Sequence, residues 1–425
     1  MTESFIHYLW QFQQFNKTLL QTTNQEPVKV FKTGILNTDA GPDFLNARLQ
    51  IGEIEWVGNI EIHIRSSDWN QHLHQFDSGY NNVILHVVWE YDQPILRKDG
   101  SVIPTLALKT ITETGLLAKY QMLVADGNTN AIPCAEQFGA VSELSKIAIL
   151  DKALTKRLIQ KSKLVEELLE TNQGDWEETT YQLIARNFGF KLNSEAFLRL
   201  AQNLPLKVLQ KHRDSLVQVE AMLFGQSGLL TKVDGYSEKL QQEYDFFATK
   251  FSLKEQALQA HEWKLMRTRP ANFPTIRIAQ LAKLIVQQKS FFSLFTQTES
   301  VDELRKALQV EQSAYWQENY HFAKKGAKKN TGLGKNSVDI LLINTVIPLL
   351  ACYAQKTDNQ VFMDRAIAFL ESFPAESNHI VDTWKSLGLS IKTAFDAQAS
   401  IELFNNFCTP KKCLQCNIGI EILKK

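Results

Sequence analysis

Cysteine is scarce in this chain, with five in 425 residues, too few to staple a protein of this length. A disulfide framework is therefore excluded and a reducing compartment is expected. Glycine (19) and proline (11) are also few, which excludes collagen-like and Pro/Gly-rich disordered architectures. Net charge is absent: 46 basic side chains face 46 acidic ones, so the chain is no polycation that coats nucleic acid by bulk electrostatics. Long apolar runs are missing too. The longest, from Ile340 to Tyr353, is broken by Asn344, Thr345 and Pro348. It falls short of the ~20 residues a bilayer requires and predicts a buried, kinked helix. Met1-Thr2-Glu3-Ser4 shows no basic segment leading into an apolar one, so no secretory signal is read there. The expectation is a soluble, cytoplasmic protein without a membrane partner.

What the chain does contain is ordinary folded composition, 44% apolar and 22% charged, at a length that suggests two or three domains. Its texture changes near residue 140. Before it, β-branched runs at 28–31, 44–51, 54–64, 83–91 and 102–108 alternate with turn residues and predict strands. A short amphipathic stretch from Ile6 to Phe15 predicts one helix ahead of them. After it, apolar residues recur at three- and four-residue steps, as in Leu144, Ile147, Leu150, Leu154 and Leu158, and predict helices. The expected fold class is α+β: an N-terminal mixed β-sheet domain, residues 1–135, followed by a larger all-α domain, 136–425. The polar, breaker-rich segment 126–133 marks the junction. Charge divides along similar lines. Residues 1–110 hold 8 basic and 12 acidic side chains, net −4, and the remainder holds 38 against 34, net +4.

Chemistry-bearing residues concentrate in the first part. Pro42-Asp43 opens one predicted strand, and Glu61-Ile62-His63 lies on the next. Period-2 alternation puts Glu61 and His63 on one face and Ile60, Ile62 and Ile64 on the other. A hairpin of these strands lets Asp43 converge on Glu61, and two carboxylates suit a hard cation such as Mg²⁺ or Mn²⁺. A third side chain there can position the water that attacks a phosphodiester. Four of the nine histidines, His63, His72, His74 and His86, then fall within 24 residues, with Trp69 and Tyr80 among them. His72-x-His74 with His63 or His86 is also a candidate zinc set, since imidazole suits zinc.

The Pro42-Asp43…Glu61-x-His63 pattern resembles the PD-(D/E)XK nuclease signature, with His63 where that superfamily usually has lysine. The resemblance implies a restriction-endonuclease-like sheet, with Asp43 and Glu61 as metal ligands and His63 as the substituted third member. A neutral imidazole ligates metal or accepts a proton, but it is not the fixed cation that lysine provides. The run Trp69-x-x-His72-x-His74 is similar to mismatch-repair endonucleases of the very-short-patch type, which implies that the Trp69 ring stacks on a base or wedges into a duplex step. Over its whole length, the chain resembles an uncharacterised bacterial family, domain of unknown function 2851. That resemblance is carried by residues 37–44, 58–63, Arg269-Pro-Ala-Asn-Phe-Pro-Thr-Ile-Arg-Ile-Ala279 and Lys412-Cys-Leu-Gln-Cys416. It implies no activity.

Three further constellations stand out. Cys408-x4-Cys413-x2-Cys416 has the spacing of a metal clip, for zinc with a fourth ligand from Cys134, Cys352 or His379, or for an iron–sulfur cluster. The alternative is a set of free thiols. Lys324, Lys325, Lys328, Lys329 and Lys335 form a basic, glycine-containing loop that either tracks a phosphate backbone or is simply solvated. Arg267, Arg269 and Arg277 flank two prolines and either bind phosphates or pair with carboxylates across the domains. The leading expectation is a metal-dependent nuclease acting on DNA or RNA. Two alternatives stand beside it: an inactive nuclease-like scaffold that binds nucleic acid or a protein partner, and a zinc hydrolase built on the histidines.

Overall fold

The structure is a computed structural model that describes residues 1–37, 39–125, 132–265, 272–326 and 332–425. The chain divides into two compact units, Met1–Ile149 with Leu403–Lys425, and Leu150–Glu402. The fold is α+β, with the sheet in the first unit and helices throughout the second. The division differs from a boundary at 135/136, because the C-terminal segment belongs with the sheet. Leu414 and Leu423 are buried in the same apolar core as the N-terminal helix and strands. Periodicity marks such residues as buried but does not say against what.

The first unit is organised around a six-stranded sheet. Helix α1 (Glu3–Phe12) precedes strands β1 (Val28–Lys32), β2 (Ile35–Leu36), β3 (Phe44–Ile51) and β4 (Ile54–Arg65). After the single turn α2 (Asp68–Gln71) come β5 (Val83–Glu90), β6 (Thr105–Ala107) and α3 (Leu116–Val124). The spatial order is β1-β3-β4-β5-β6, with β2 also paired to β3. β1, β2 and β4 run antiparallel to β3, whereas β4, β5 and β6 are mutually parallel, so the sheet is mixed. Helix α1 is capped at Gln13, in the left-handed region at φ 48°, so it starts and ends three residues before the expected stretch from Ile6 to Phe15. Its Phe5, Ile6, Leu9 and Trp10 share one core with Ile60, Ile62, Leu85 and Val87. That arrangement consumes one face of β4. The other face carries Glu61 and His63.

Two local features aim that second face. The β3–β4 ladder is irregular between Phe44 and Ala47, where Asn46 adopts φ 57° and its N–H donates to Asn59 Oδ1 at 3.2 Å. A bulge of this kind re-aims the residues at its edge, here Asp43 and Glu61. On β4 itself, a Cβ at Gly58 would lie 2.4 Å from Ile84 Cγ2, so only glycine lets β5 approach at that point.

Among its described residues, the second unit is helical apart from a two-stranded ribbon, Asn319–His321 with Lys324–Lys325. Lys324 and Lys325 therefore sit on a short strand rather than in a loop, and both are exposed. Helix Lys335–Thr357 contains Pro348 and is long and apolar enough to cross a membrane, but 72% of its most apolar window is buried inside the protein. It is a core helix, as the broken apolar run predicts. Helices Leu216–Gln226 and Gly235–Lys250 meet where a Cβ at Gly225 would lie 2.2 Å from the Tyr244 ring. Gly225→Ala is therefore expected to destabilise this unit by about 1–3 kcal/mol through overpacking. Denaturant unfolding followed by tryptophan fluorescence measures it, and a stability equal to wild type would refute the close packing.

Candidate metal centre

Each candidate side chain is delivered by a different piece of backbone. Asp43 stands at the foot of β3, opposite Glu61 on β4. The two are cross-linked through main chain: Asp43 N–H donates to Glu61 Oε2 at 3.2 Å, and Ile62 N–H donates to Asp43 Oδ2 at 2.9 Å. One oxygen of each carboxylate is thereby committed, and one is left to face the histidines. Glu61 pairs in register with His86 of the parallel neighbour β5, which brings His86 to the same face as His63. His72 and His74 follow α2, on a segment anchored by Asp92. The Asp92 carboxylate accepts from the Ser66 hydroxyl at 2.6 Å and from the Ser67 N–H and hydroxyl at 2.9 and 2.6 Å.

The rings converge. His63 Nε2 lies 3.0 Å from His72 Nδ1, and His63 Nδ1 lies 2.7 Å from His86 Nε2. Glu61 Oε1 is 3.3 Å from His74 Nε2 and 3.7 Å from His63 Nε2. Among the described residues, His63, His72 and His74 form one group whose ligand atoms all lie within 4.8 Å of one another. Burial fixes the protonation of the inner members. His63 is 1% exposed and its pKa is lowered to about 3, chiefly by desolvation and then by the charges of His74 and His72. His86 is pushed well down for the same first reason. With the proton of a neutral His63 on Nδ1, shared with His86 Nε2, the Nε2 lone pair would face His72, His74 and Glu61. That second-layer imidazole is the kind of partner that fixes the tautomer of a metal-ligating histidine. Glu61 goes the other way: burial raises its pKa to about 6, against the lowering contact with His74.

Aromatic packing holds the rings in place. His74 stacks on Tyr80 with centroids 3.9 Å apart, and the Trp69 ring meets His74, His86 and Tyr80 edge-on. Trp69 is 1% exposed and packs with Val83, Ile95 and Ile103. Its faces are spent inside the protein, so a base-stacking role does not fit this position. Tyr80 has its hydroxyl pKa raised to about 12 by desolvation and by Glu61 and Asp43. Solvent reaches the cluster at His72, which is exposed, and at Asp43, whose side chain is 25% accessible.

Two members are absent from the sequence-based set. Glu3 and His7, four residues apart on α1, reach the same edge: His7 Nε2 is 3.4 Å from Asp43 Oδ1. Burial, then Asp43, raises the Glu3 pKa, while His72 and His7 lower it. Their i, i+4 spacing on an amphipathic helix is a signal for a shared face, but nothing local links that face to a strand beginning at residue 44.

The remaining candidates lie elsewhere. Cys408, Cys413 and Cys416 are buried and outside any disulfide, at the end of the turn Phe404–Cys408, the start of Cys413–Gln415 and the cap of helix Asn417–Lys424. Cys134 joins them. Its thiol feels Cys416 and Cys413, and Cys408 feels all three. Desolvation first, and then these neighbours, pushes Cys134 and Cys413 up to about 12 and Cys408 further. Cys352 and His379 belong to the other unit. Arg277 is 5% exposed and meets no carboxylate among the described residues. Lys335 is exposed at the start of its helix. Arg267, Arg269, Lys328 and Lys329 lie outside the described residues.

No curated protein and no solved structure matches this chain. A family model described as protein of unknown function (DUF2851) matches residues 3–379, nearly the whole chain, which therefore belongs to that family.

Proposed function

We propose that the first unit is a metal-dependent phosphodiesterase acting on nucleic acid in the cytoplasm, with His63, His72 and His74 as the ion's ligands. One observation carries this: three imidazoles brought by β4 and the segment after α2 point their nitrogens at one spot, within 4.8 Å of one another. Three imidazoles of this kind would hold a zinc ion, leaving a position open for water or substrate. The donor set favours zinc or another imidazole-binding ion over Mg²⁺, while the adjoining Asp43/Glu61 pair suits Mg²⁺ or Mn²⁺. An ion bound there would polarise the phosphoryl oxygen and lower the pKa of a bound water. The chain's own groups supply the rest. Glu61 Oε1, free of main-chain bonds and beside two of the ligands, takes the proton from the attacking water. His86 holds His63 in the tautomer that leaves Nε2 free. Asp43, fixed by the Ile62 N–H, orients Glu61 and faces His7 at the solvent edge. The choice of a phosphodiester substrate is supported by the likeness of Pro42-Asp43…Glu61-x-His63 and Trp69-x-x-His72-x-His74 to nuclease motifs.

The test is a panel of DNA and RNA substrates incubated with Zn²⁺, Mn²⁺ or Mg²⁺, alongside metal analysis of the purified chain. Wild type is expected to nick at least one substrate, and His74→Ala to lose both the metal and the activity. Salt-dependent binding without turnover under all three ions would identify an inactive scaffold instead.

A second metal reading has its own observation, the arrival of Cys134 beside the three C-terminal cysteines. Four buried thiols without disulfides form the donor set of a zinc or iron–sulfur centre, each losing its proton on binding. The same metal analysis distinguishes them: iron with acid-labile sulfide, or zinc without it, lost in either case from Cys134→Ser.

A further inference from the structure

The second unit contains a cavity of about 470 Å³ that the metal centre does not use. Three segments meet there: residues 188–197, the start of helix Pro274–Gln287, and the first turns of helix Lys335–Thr357. Its walls are mostly apolar, from Phe188, Phe190, Phe197, Pro274 and Ile340. Its volume is within the range of small-molecule sites.

Arg277 lines this cavity and is 5% exposed. Its guanidinium lies 4.4 Å from the Phe190 ring centroid. Both of its hydrogen-bonded partners are neutral amides: Nη1 donates to Gln280 Oε1 at 2.9 Å, and Nη2 donates to Asn272 Oδ1 at 2.6 Å. The Nε–H is buried without a partner among the described residues. Guanidinium carries five N–H donors, so one more on each terminal nitrogen also remains for a ligand. No carboxylate among the described residues offsets the charge; burial alone acts on the group and lowers its pKa to about 10, so it stays cationic at neutral pH. A buried charge is ordinarily paired or coordinated. Among the described residues, the only other charged one on the cavity wall is Lys191, exposed at the rim and also positive.

The backbone around the cavity is specialised for this shape. Phe190 occupies the left-handed region at φ 50°, costly for a bulky side chain, and that conformation places its ring under Arg277. Gly189 admits the turn because a Cβ would lie 2.3 Å from Asn193 O. The Asn193 side chain is occupied elsewhere, bonding Lys264 N–H and C=O at 2.8 and 3.0 Å. Arg277 is thus the group left with open donors.

We propose that this cavity binds a small organic oxyanion, a carboxylate or phosphate monoester carried on a flat apolar body, with Arg277 holding the anionic head and the phenylalanines the body. A charge-assisted, multiply bonded head is the recognition for which a planar guanidinium is suited. The assignment is independent of the metal centre and stands if that centre is inactive.

Isothermal titration of the full chain with phenyl phosphate, benzoate and the uncharged benzyl alcohol tests it, with a chelator present so that no metal in the other unit takes the anion. At least one oxyanion is expected to bind and benzyl alcohol is not; which oxyanion binds tells phosphate from carboxylate. Arg277→Met is expected to weaken binding about tenfold to a hundredfold, the range for a lost charged hydrogen bond. Its melting temperature without ligand should equal or exceed wild type, since an unpaired buried charge is removed. A purely structural arginine would instead lower it. Ile340→Trp, at the exposed rim, leaves Arg277 intact and is expected to abolish binding by filling the mouth. No binding of either oxyanion at millimolar concentration overturns the proposal, as does wild-type affinity in both variants.

Discussion

Glu61→Gln is expected to lower metal-dependent hydrolysis by about 10²–10⁴-fold, the range that loss of a general base costs, while the chain keeps its metal. The reason lies in how the carboxylate is divided. Glu61 Oε2 is taken by the Asp43 N–H, whereas Oε1 stands 3.3 and 3.7 Å from the His74 and His63 nitrogens. Glutamine has nearly the same shape and keeps an acceptor for the Asp43 N–H, so the β3–β4 edge should hold. It cannot take a proton from water. His72→Ala is the contrasting variant, because it removes a ligand and should cost more in metal affinity than the 10–100-fold typical of supporting residues. Turnover at saturating metal, paired with bound-metal content, separates the two roles. Activity of the Glu61 variant within a few-fold of wild type would remove it from the chemistry, and metal loss in that variant would make it a ligand instead.

The second large effect concerns the helical unit and pH. Glu220 is fully buried on helix Leu216–Gln226, with Oε2 accepting from the Tyr236 hydroxyl. Desolvation, partly offset by hydrogen bonds led by that from Tyr236, raises its pKa from 4.5 to about 7. The unfolded chain releases this proton near pH 4.5 and the folded chain near 7, so between them the folded state binds more protons. Stability therefore falls as pH rises through that window and is level again above it. At about 1.4 kcal/mol per pKa unit, ionised Glu220 costs about 3 kcal/mol at pH 8. Glu220→Gln removes that cost, so it should be about 3 kcal/mol more stable than wild type at pH 8 and within about 1 kcal/mol of it at pH 5. Denaturant unfolding of both proteins across pH 5–8 measures the difference. A difference that does not change with pH would show that Glu220 does not titrate there.

Much of the first unit was legible in the sequence, because a strand writes its face into every second residue. Ile60 and Ile62 do enter the core while Glu61 and His63 stand opposite, and the strands at 28, 44, 54 and 83 begin where their β-branched runs begin. The buried helix around Pro348 was legible for a similarly local reason.

What is encoded non-locally was not. Glu3 and His7 meet Asp43 only because α1 packs on the sheet, and His86 meets His63 only because β5 runs parallel beside β4. Trp69, expected to stack on a base or wedge into a duplex step, is buried against the histidine rings. Cys134 found its partners across more than 270 residues of chain, and Arg277 lost the surface because its helix is buried on nearly every side. The sequence by itself determined which residues have chemistry to offer and, through periods of two and 3.6, which face each occupies. Tertiary packing alone decided which faces meet, because burial energy depends on total apolar area removed from water and not on separation along the chain.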